Sequence, residues 1–539
     1  MGPAAGGEGE SDMKRWALAS AVVALAAGLA GSAAAATFRF ANDADSNSMD
    51  PYARQETFLL SFDSNMYEPL VRRDRNLKLE PALATEWKQT APDVWRFSLR
   101  QGVKFHDGTP FSADDVVFSF QRVTGPGSNL SGALALVKEA RKIDDFTVEF
   151  VTKGADPILP EEITVWDIMS KAWCEKNNIA RVADLTKSEE NYATNHANGT
   201  GPFMLKERQP DVQTTLVKNP GWWDKPEFDI DEAVFHRIAD AHTRVAALLS
   251  GDLDMIYTVP PQDIDTIAKT PHLKVITGPE LRTIYLGFDV DRAELIESNV
   301  KGKNPMKDVR VRQAFYQAID EDAIKAKVMR GYATPTGLMV GKGINGFDEA
   351  LNKRLFPYDP AAAKKLLVEA GYPDGFEIGM DCPNDRYIND EQICTAVAAM
   401  LAKIGIKVNA LIQTRAKYFA KILGPGYNTS FFLLGWTPAT YDAHNMLINL
   451  MVKRTGKGRG DYNSGGFSDP ELEPLVDQIQ AESDGAKRAA ELHRALEIVK
   501  TDIATIPLHQ QVLFWATRDT VDLVQQADNY FALRFVKMK

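Results

Sequence analysis

The chain has 539 residues, of which 44% are hydrophobic and 25% are charged. At roughly 100 to 200 residues per domain, this length predicts about three domains with real hydrophobic cores, and it excludes a disordered or fibrous protein. The 73 Asp and Glu residues exceed the 62 Lys and Arg residues by 11, and the sequence contains no long basic run. Nucleic acid is therefore not an expected partner.

The N-terminal region carries the pattern of an export signal. An apolar stretch from Trp16 to Ala30 follows two basic residues and leads into the small residues 33–36. Its length of about 15 residues is short for a membrane span, which needs about 20, and the small residues are typical of a cleavage site. We expect residues 1–36 to be a tag and signal peptide, with cleavage after Ala36. No cysteine stands there for lipid attachment.

The first regular elements of the mature chain are a strand and a helix. Apolar and polar residues alternate from Trp95 to Leu99, which is the period of a strand. A turn follows, and Ser112 then fits the N-cap of a helix with Asp115 at its third position. Further along, an amphipathic helix is predicted over 393–404 and an alternating strand over 406–412. Helices and strands in such close succession predict an α/β fold.

The middle of the chain repeats this alternation and then contains a boundary. Residues 241–250 read as a helix and residues 253–259 as a strand. The segment 298–308 is polar and contains glycine and proline, which are typical of a connection between lobes. The sequence thus predicts one α/β region on each side of residue 300.

The chain contains three cysteines, Cys174, Cys382 and Cys394. So few in a chain of this size exclude a fold built on disulfides. Two interpretations stay open at this point: Cys382 and Cys394 pair with each other, or all three are buried thiols that pack as small hydrophobic residues.

No motif of a catalytic site is present. The sequence has no zinc-protease helix, no Cys-x-x-Cys pair, no nucleophile elbow and no P-loop, and its eight histidines are scattered. We therefore expect no enzyme activity, no catalytic residue, no metal site and no cofactor. Aromatic residues instead stand beside charges at Trp222-Trp223, Arg386-Tyr387, Tyr418-Phe419 and 436–442. Apolar walls with a few polar groups are typical of a ligand pocket, although each pair alone is more typical of packing.

Several motifs together carry a family likeness. They include residues 95–100, the run from Gly102 to Val116, Gly199 to Phe203, and 309–314. In this order they resemble the family 5 extracellular solute-binding proteins, which are the dipeptide-, oligopeptide- and nickel-binding proteins of ABC importers. The likeness extends over essentially the whole mature chain.

The resemblance implies an α/β fold of the two-lobed periplasmic-binding-protein type (type II, the large class with three subdomains), with a hinge and a ligand cleft between the lobes. Lobe I is expected at 37–75, 200–297 and 505–539. Its inserted subdomain is expected at 76–199, and lobe II at 298–504. The implied protein is a periplasmic monomer that captures a solute and delivers it to an ABC transporter permease in the inner membrane.

The resemblance also implies a set of ligand-binding positions, which lie in the loop after the Asp-Pro motif, in a second-lobe aromatic pair and in the loop after a strand. The predicted positions are Gln55, Glu56, Thr57, Asn129, Asn384, Arg386, Tyr387, Tyr418, Trp436, Ala439, Tyr441 and Asp442.

One of these positions departs from the family pattern. Peptide-binding members are similar to each other in having an Asp where this chain has Ala439, and that Asp pairs with the peptide α-ammonium. A buried ammonium without a carboxylate partner costs several kcal/mol in desolvation. A ligand with a free amino group thus needs another carboxylate, for which Asp442 and Glu56 are the candidates.

Arg386 fits a ligand carboxylate, with a salt bridge to Asp385 or Asp390 as the equally open alternative. The leading hypothesis is a receptor for a di- or oligopeptide or an amino-acid-derived solute. The alternative is the same receptor role for a metal chelate, an opine, haem or an oligosaccharide. A secreted hydrolase is a remote alternative, since no nucleophile or metal cluster is visible.

Overall fold

The structure, a computed structural model, describes residues 1–2, 36–134, 136–424, 426–455 and 458–539. Most of the predicted signal peptide therefore lies outside the described residues. Within these ranges no helix is long and apolar enough to cross a membrane.

The described residues form strands and helices that alternate along the chain. The strands are β1 Thr37–Asn42, β2 Val71–Arg73, β3 Leu79–Pro81, β4 Ala84–Ala91, β5 Val94–Leu99, β6 Val137–Asp144, β7 Thr147–Thr152, β8 Phe203–Gln209, β9 Gln213–Lys218, β10 Glu232–Arg237, β11 Met255–Tyr257, β12 Leu273–Phe288, β13 Ala333–Pro335, β14 Phe376–Pro383, β15 Ile406–Gln413, β16 Phe431–Trp436, β17 Thr505–Arg518, β18 Val521–Asp522 and β19 Lys537–Met538. The helices are α1 Thr57–Asp63, α2 Ala113–Val123, α3 Leu159–Glu162, α4 Lys171–Lys176, α5 Tyr192–Asn195, α6 Ala241–Ser250, α7 Ile264–Lys269, α8 Val309–Ala318, α9 Glu321–Ala323, α10 Pro360–Glu369, α11 Asp390–Ala402, α12 Arg415–Ile422, α13 Ala443–Leu450, α14 Leu472–Ala481 and α15 Gly485–Thr501. The predicted α/β class is confirmed.

One large sheet runs through both halves of the molecule. Its strands follow the order β15-β14-β16-β12-β17-β11-β1-β10-β9-β8, with β13 paired to β17. Strand β1 runs parallel to β10 and β11, and β14 runs parallel to β15 and β16. Loops that leave these parallel strands at their carboxyl ends are the usual place for a ligand in open α/β sheets.

The two longest strands, β12 and β17, join the halves. They pair antiparallel from Leu273 with Arg518 to Gly287 with Thr505, and the register shifts between Pro279 and Thr283. A break in a ladder of hydrogen bonds bends the strands locally. This break lies where the sheet passes from one half to the other.

A separate four-stranded sheet, in the order β4-β5-β7-β6, lies inside the segment predicted as an insertion. Helix α2 packs beside it and begins as predicted, because Ser112 and Asp115 form a reciprocal capping box. The predicted strand over 253–259 is shorter in the structure, since β11 pairs over three residues only. The predicted helix over 241–250 is confirmed as α6.

Hydrophobic cores form on both sides of the central strands. Phe38, Trp166 and Trp515 belong to one continuous cluster, whereas Ile284 and Leu401 belong to another. Buried clusters on both sides of a shared sheet agree with the expected two-lobed architecture. The residue boundaries given above for the lobes stay a prediction.

The structure decides between the two interpretations of the cysteines. Cys382 at the end of β14 and Cys394 in α11 form a disulfide, and Cys174 is a buried free thiol. The disulfide ties the two elements that flank residues 384–390.

Candidate functional site

A cavity of about 330 Å³ lies between the two halves of the molecule. One wall comes from the end of β1, the start of α1 and the loop before α7, and the other comes from residues 384–392. The volume lies near the lower end of the roughly 300–1,000 Å³ that is usual for ligand pockets. Its charged lining residues are Asp43, Glu56, Arg244, Glu280, Arg282, Asp385, Arg386, Asp390 and Arg415.

The loop between β14 and α11 is held in place from within. The carboxylate of Asp390 accepts the backbone N–H groups of Arg386 at 3.0 Å and of Tyr387 at 2.9 Å. Burial raises the pKa of Asp390 to about 6. Tyr387 packs closely on β16, where a Cβ at Gly435 would lie 2.8 Å from the tyrosine ring. The loop therefore presents its side chains from a fixed backbone.

Arg386 has no partner of its own among the described residues. Its Nε is buried without a hydrogen bond, and its guanidinium makes no ion pair, although it lies 5.2 Å from the Tyr387 ring centroid. Burial lowers the pKa of Arg386, and the neighbouring Arg282 and Arg415 lower it further, while Glu56 opposes them. The surface salt bridge to Asp385 or Asp390 is not formed. An unpaired guanidinium in a cavity is suited to an anion.

The floor of the cavity lies on the strands that join the halves. Arg282 Nε donates to Glu280 Oε1 at 2.9 Å, and the Gln511 amide donates to the other oxygen of Glu280 at 2.5 Å. The Arg282 guanidinium also lies 3.5 Å from Thr57 Oγ1. The cation of Arg282 is thus balanced within the protein.

An ion pair crosses the cleft beside this floor. Arg415 at the start of α12 donates to Glu56 Oε1 at 3.0 Å, and its backbone N–H donates to Asp385. The pair joins the two walls of the cavity. Its solvent exposure is 30% for Arg415 and 17% for Glu56, so water partly screens it.

Asp43 and Arg244 form a wall that the sequence reasoning missed. The turn at Asp43 is held by its neighbour Asn42, whose amide donates to the Tyr257 carbonyl and accepts from the backbone of Ala44. The Arg244 guanidinium donates to the carbonyls of Ile238, Ala239 and Thr258. The available signal was a carboxylate directly after a buried strand.

A family model for bacterial extracellular solute-binding proteins, family 5 (middle part), matches residues 78–458. The chain belongs to this family. The two-lobed fold of the chain and the cleft between its lobes agree with membership in this family. A family 5 protein serves as the solute-binding component of an ABC importer, and this is the role of the chain.

Relatives in the family bind different solutes. The chain is 28% identical to the haem-binding protein A of Haemophilus influenzae over 81% of this chain and 80% of that protein. It is 28% identical to the dipeptide-binding protein of Escherichia coli over 79% of each chain. It is 25% identical to the glutathione-binding protein GsiB of Pectobacterium atrosepticum over 82% of each. These relatives are transport proteins and not enzymes.

Solved structures show the same fold. DppA of Helicobacter pylori, in complex with the peptide STSA, matches with a TM-score of 0.79 and 26% identity over 93% of this chain and 98% of its own. A dipeptide-binding protein of Pseudoalteromonas, in complex with Met-Leu, matches with a TM-score of 0.80 and 22% identity over 93% and 100%. The expected periplasmic-binding-protein fold of type II is confirmed.

The loop after β16, which carries several of the predicted positions, makes hydrogen bonds to other parts of the protein and does not line the cavity. Trp436 donates from its ring N–H to Asn445 at 3.2 Å, and the Tyr441 hydroxyl donates to Asp528. The Asp442 carboxylate accepts from Arg488 Nη1 at 2.6 Å and Nη2 at 3.0 Å. Asp442 is buried, and it also accepts the amide of Asn345 at 2.7 Å.

Some of the predicted positions line the cavity, and the others lie outside it. Glu56, Thr57, Asn384, Arg386 and Tyr387 line the cavity. The remaining predicted positions lie outside its lining, namely Gln55, Asn129, Tyr418, Trp436, Ala439, Tyr441 and Asp442.

Two further positions outside the lining, Asn129 and Tyr418, also have structural contacts. The Asn129 side chain accepts the backbone N–H of Gln55 at 2.9 Å and so holds the loop that carries Glu56. Tyr418 is fully buried, and its hydroxyl donates to the Leu433 carbonyl.

Proposed function

We propose that the chain is a periplasmic receptor for a small solute with a carboxylate group, either a short peptide or an amino-acid-derived compound. The observation that carries this proposal is the unpaired guanidinium of Arg386 in the cavity between the lobes. A ligand carboxylate placed there would accept charge-assisted hydrogen bonds from the guanidinium, and such bonds are stronger than those between neutral groups.

The cavity volume supports a solute of small size. About 330 Å³ suits a compound the size of a dipeptide better than a long peptide or an oligosaccharide. The dipeptide- and glutathione-binding relatives accept solutes of this class by their names. We retain Arg386, Tyr387, Asn384 and Thr57 as proposed ligand contacts, with Glu56 close by but paired.

Capture depends on closure of the two lobes. A ligand stabilises the closed state only through its greater affinity for that state. A solute whose carboxylate binds Arg386 on lobe II gains such a difference when it also contacts the opposite wall, which comes from lobe I. We further propose that the exported protein acts as a monomer and delivers its solute to a permease in the inner membrane.

The test is to identify what the protein carries. The protein is purified without added ligand, weighed by native mass spectrometry and then denatured, and the released compound is identified. We expect a compound with at least one carboxylate, and we expect Arg386→Gln purified in parallel to carry at least tenfold less of it. A neutral sugar, or equal loading of the variant, would refute the proposal.

A further inference from the structure

The charged residues that line the cavity bear on which charged groups the solute carries. Four carboxylates of the lining are already engaged by protein donors: Glu56 by Arg415, Glu280 by Arg282 and Gln511, Asp385 by the Arg415 amide, and Asp390 by backbone N–H groups. A carboxylate that already pairs with a protein donor is less available to a ligand cation than one without any partner.

Asp43 is the exception among these carboxylates. Within the described residues its carboxylate has no hydrogen bond and no ion pair, although it lines the cavity. It does not hold its own turn either, since Asn42 fixes that turn through the Tyr257 carbonyl and the Ala44 amide. Its side chain is therefore available to a ligand.

The cation on the same wall does not neutralise Asp43. Arg244 lines the same wall, and Asp43 raises its pKa, but burial has the larger effect and lowers it. No ion pair joins the two residues within 4.0 Å, and Arg244 instead donates to three backbone carbonyls. Arg244 is thus used to hold its loop.

The two unpaired charges stand on different walls. Asp43 follows β1 in the first half of the sheet, and Arg386 follows β14 in the second half. The Nε of Arg386 is buried without a hydrogen bond, whereas Asp43 is half-buried and has no partner in the protein, so a solute with both an anionic and a cationic group can pair with both residues. A solute with one charge would leave the other group unpaired.

We propose that Asp43 receives a cationic nitrogen of the solute, and that the receptor takes zwitterions whose carboxylate binds Arg386. This inference rests on the proposed function and deepens it. It assigns the cation to a site other than the loop around Ala439, and it uses neither Asp442 nor Glu56, whose carboxylates are bound by Arg488 and Arg415.

The probe is tryptone, a protein digest, used with its amino groups either free or acetylated. Protein stripped of ligand without reductant is incubated with tryptone, or with the same tryptone after exhaustive N-acetylation, which removes the amino groups and keeps the carboxylates. Retained compounds are counted by native mass spectrometry. We expect the wild type to retain at least tenfold more from untreated tryptone than from acetylated tryptone.

The variants locate this preference. Asp43→Asn and Asp43→Ser should reduce the preference to less than threefold, with melting temperatures close to that of the wild type because Asp43 has no protein partner. Asp252→Asn, which removes an exposed lobe I carboxylate outside the cavity, should keep the full preference.

Three results would overturn the inference. Equal retention from both digests by the wild type would show that no amino group of the solute is recognised, while the carboxylate receptor of the proposed function would stand. An unchanged preference in both Asp43 variants would place the cation elsewhere. Retention from neither digest would exclude amino solutes, and the compound released from the purified protein would then decide the proposed function separately.

Discussion

The loops after β14 and β16 leave parallel strands at the same edge of the sheet, yet the charged residues of the two loops differ in whether they have a partner. The loop after β14 carries Arg386, whose guanidinium is unpaired and faces the cavity. The loop after β16 carries Asp442, whose carboxylate accepts two hydrogen bonds from Arg488. Both are charged residues in loops beside aromatic rings, and the sequence patterns look alike.

The difference lies in the partner and not in the loop. A buried charged residue with a counter-ion in the same chain contributes to stability as part of that pair. A charged residue without a counter-ion is a candidate for ligand binding. This comparison predicts that substitutions in the second loop act mainly on stability, and that substitutions in the first loop act mainly on binding.

The largest expected effect is on stability, at Asp442. Asp442→Asn keeps the helix cap on α13 but leaves Arg488 as a buried cation without an anion, which should cost about 3–5 kcal/mol of unfolding free energy. Denaturant titration measures it. The double variant Asp442→Asn/Arg488→Met should recover a large part of the loss, and additive losses would contradict the assignment of a pair.

The next effect concerns the covalent frame of the first loop. Reduction of the Cys382–Cys394 disulfide, whose partners are 12 residues apart, should cost about 3 kcal/mol of unfolding free energy. Denaturation with and without dithiothreitol measures this. The double variant Cys382→Ala/Cys394→Ala provides the control and should be insensitive to the reductant. A wild type that is equally insensitive would argue against the bond.

Arg386→Gln tests the first loop directly. Loss of a charged hydrogen-bond donor should weaken binding of the released carboxylate compound by about 1.5–3 kcal/mol, which is roughly 10- to 150-fold. Calorimetric titration gives the affinity. The melting temperature of the ligand-free variant should change little, because Arg386 supports no other described residue through its side chain. A large fall in melting temperature would assign Arg386 to the fold.

The smallest effect is the acid sensitivity of the second loop. Burial, with a contribution from Arg488, lowers the pKa of His444 to about 4, against about 6.5 in an unfolded chain. Between these values the unfolded chain binds a proton that the folded chain does not, so the stability falls as the pH falls. The loss from this group at pH 5 should be about 2 kcal/mol.

Denaturation of the wild type and His444→Gln at pH 7 and pH 5 measures this loss. The variant should lose less stability than the wild type over this interval, by about 2 kcal/mol. Equal losses would mean that His444 does not contribute to the acid sensitivity.

Local elements of the fold could be predicted because their signals are local. Ser112 and Asp115 are three residues apart and form the predicted capping box, and α6 follows its apolar pattern. The family likeness supplied the two lobes and the cleft. Arg386 and Tyr387 could be placed in the cavity through the same likeness.

The partners of charged residues could not be predicted, because they come from distant parts of the chain. Arg488 is 46 residues from Asp442, and Arg415 is 359 residues from Glu56. The sequence offered both carboxylates as replacements for the Asp absent at Ala439, and only the folded structure shows that both are bound by arginines. Asp43 was missed although it directly follows the buried strand β1, since no local pattern shows that a carboxylate has no partner.

The register break between Pro279 and Thr283 gives the cleft a mechanical property. Glu280 and Arg282 lie in β12 at this break and contribute to the cavity floor. A solute that contacts these two residues therefore also contacts the strands that join the two halves of the molecule. We therefore expect the shape of the solute near Glu280 and Arg282 to affect how closely the two lobes approach each other.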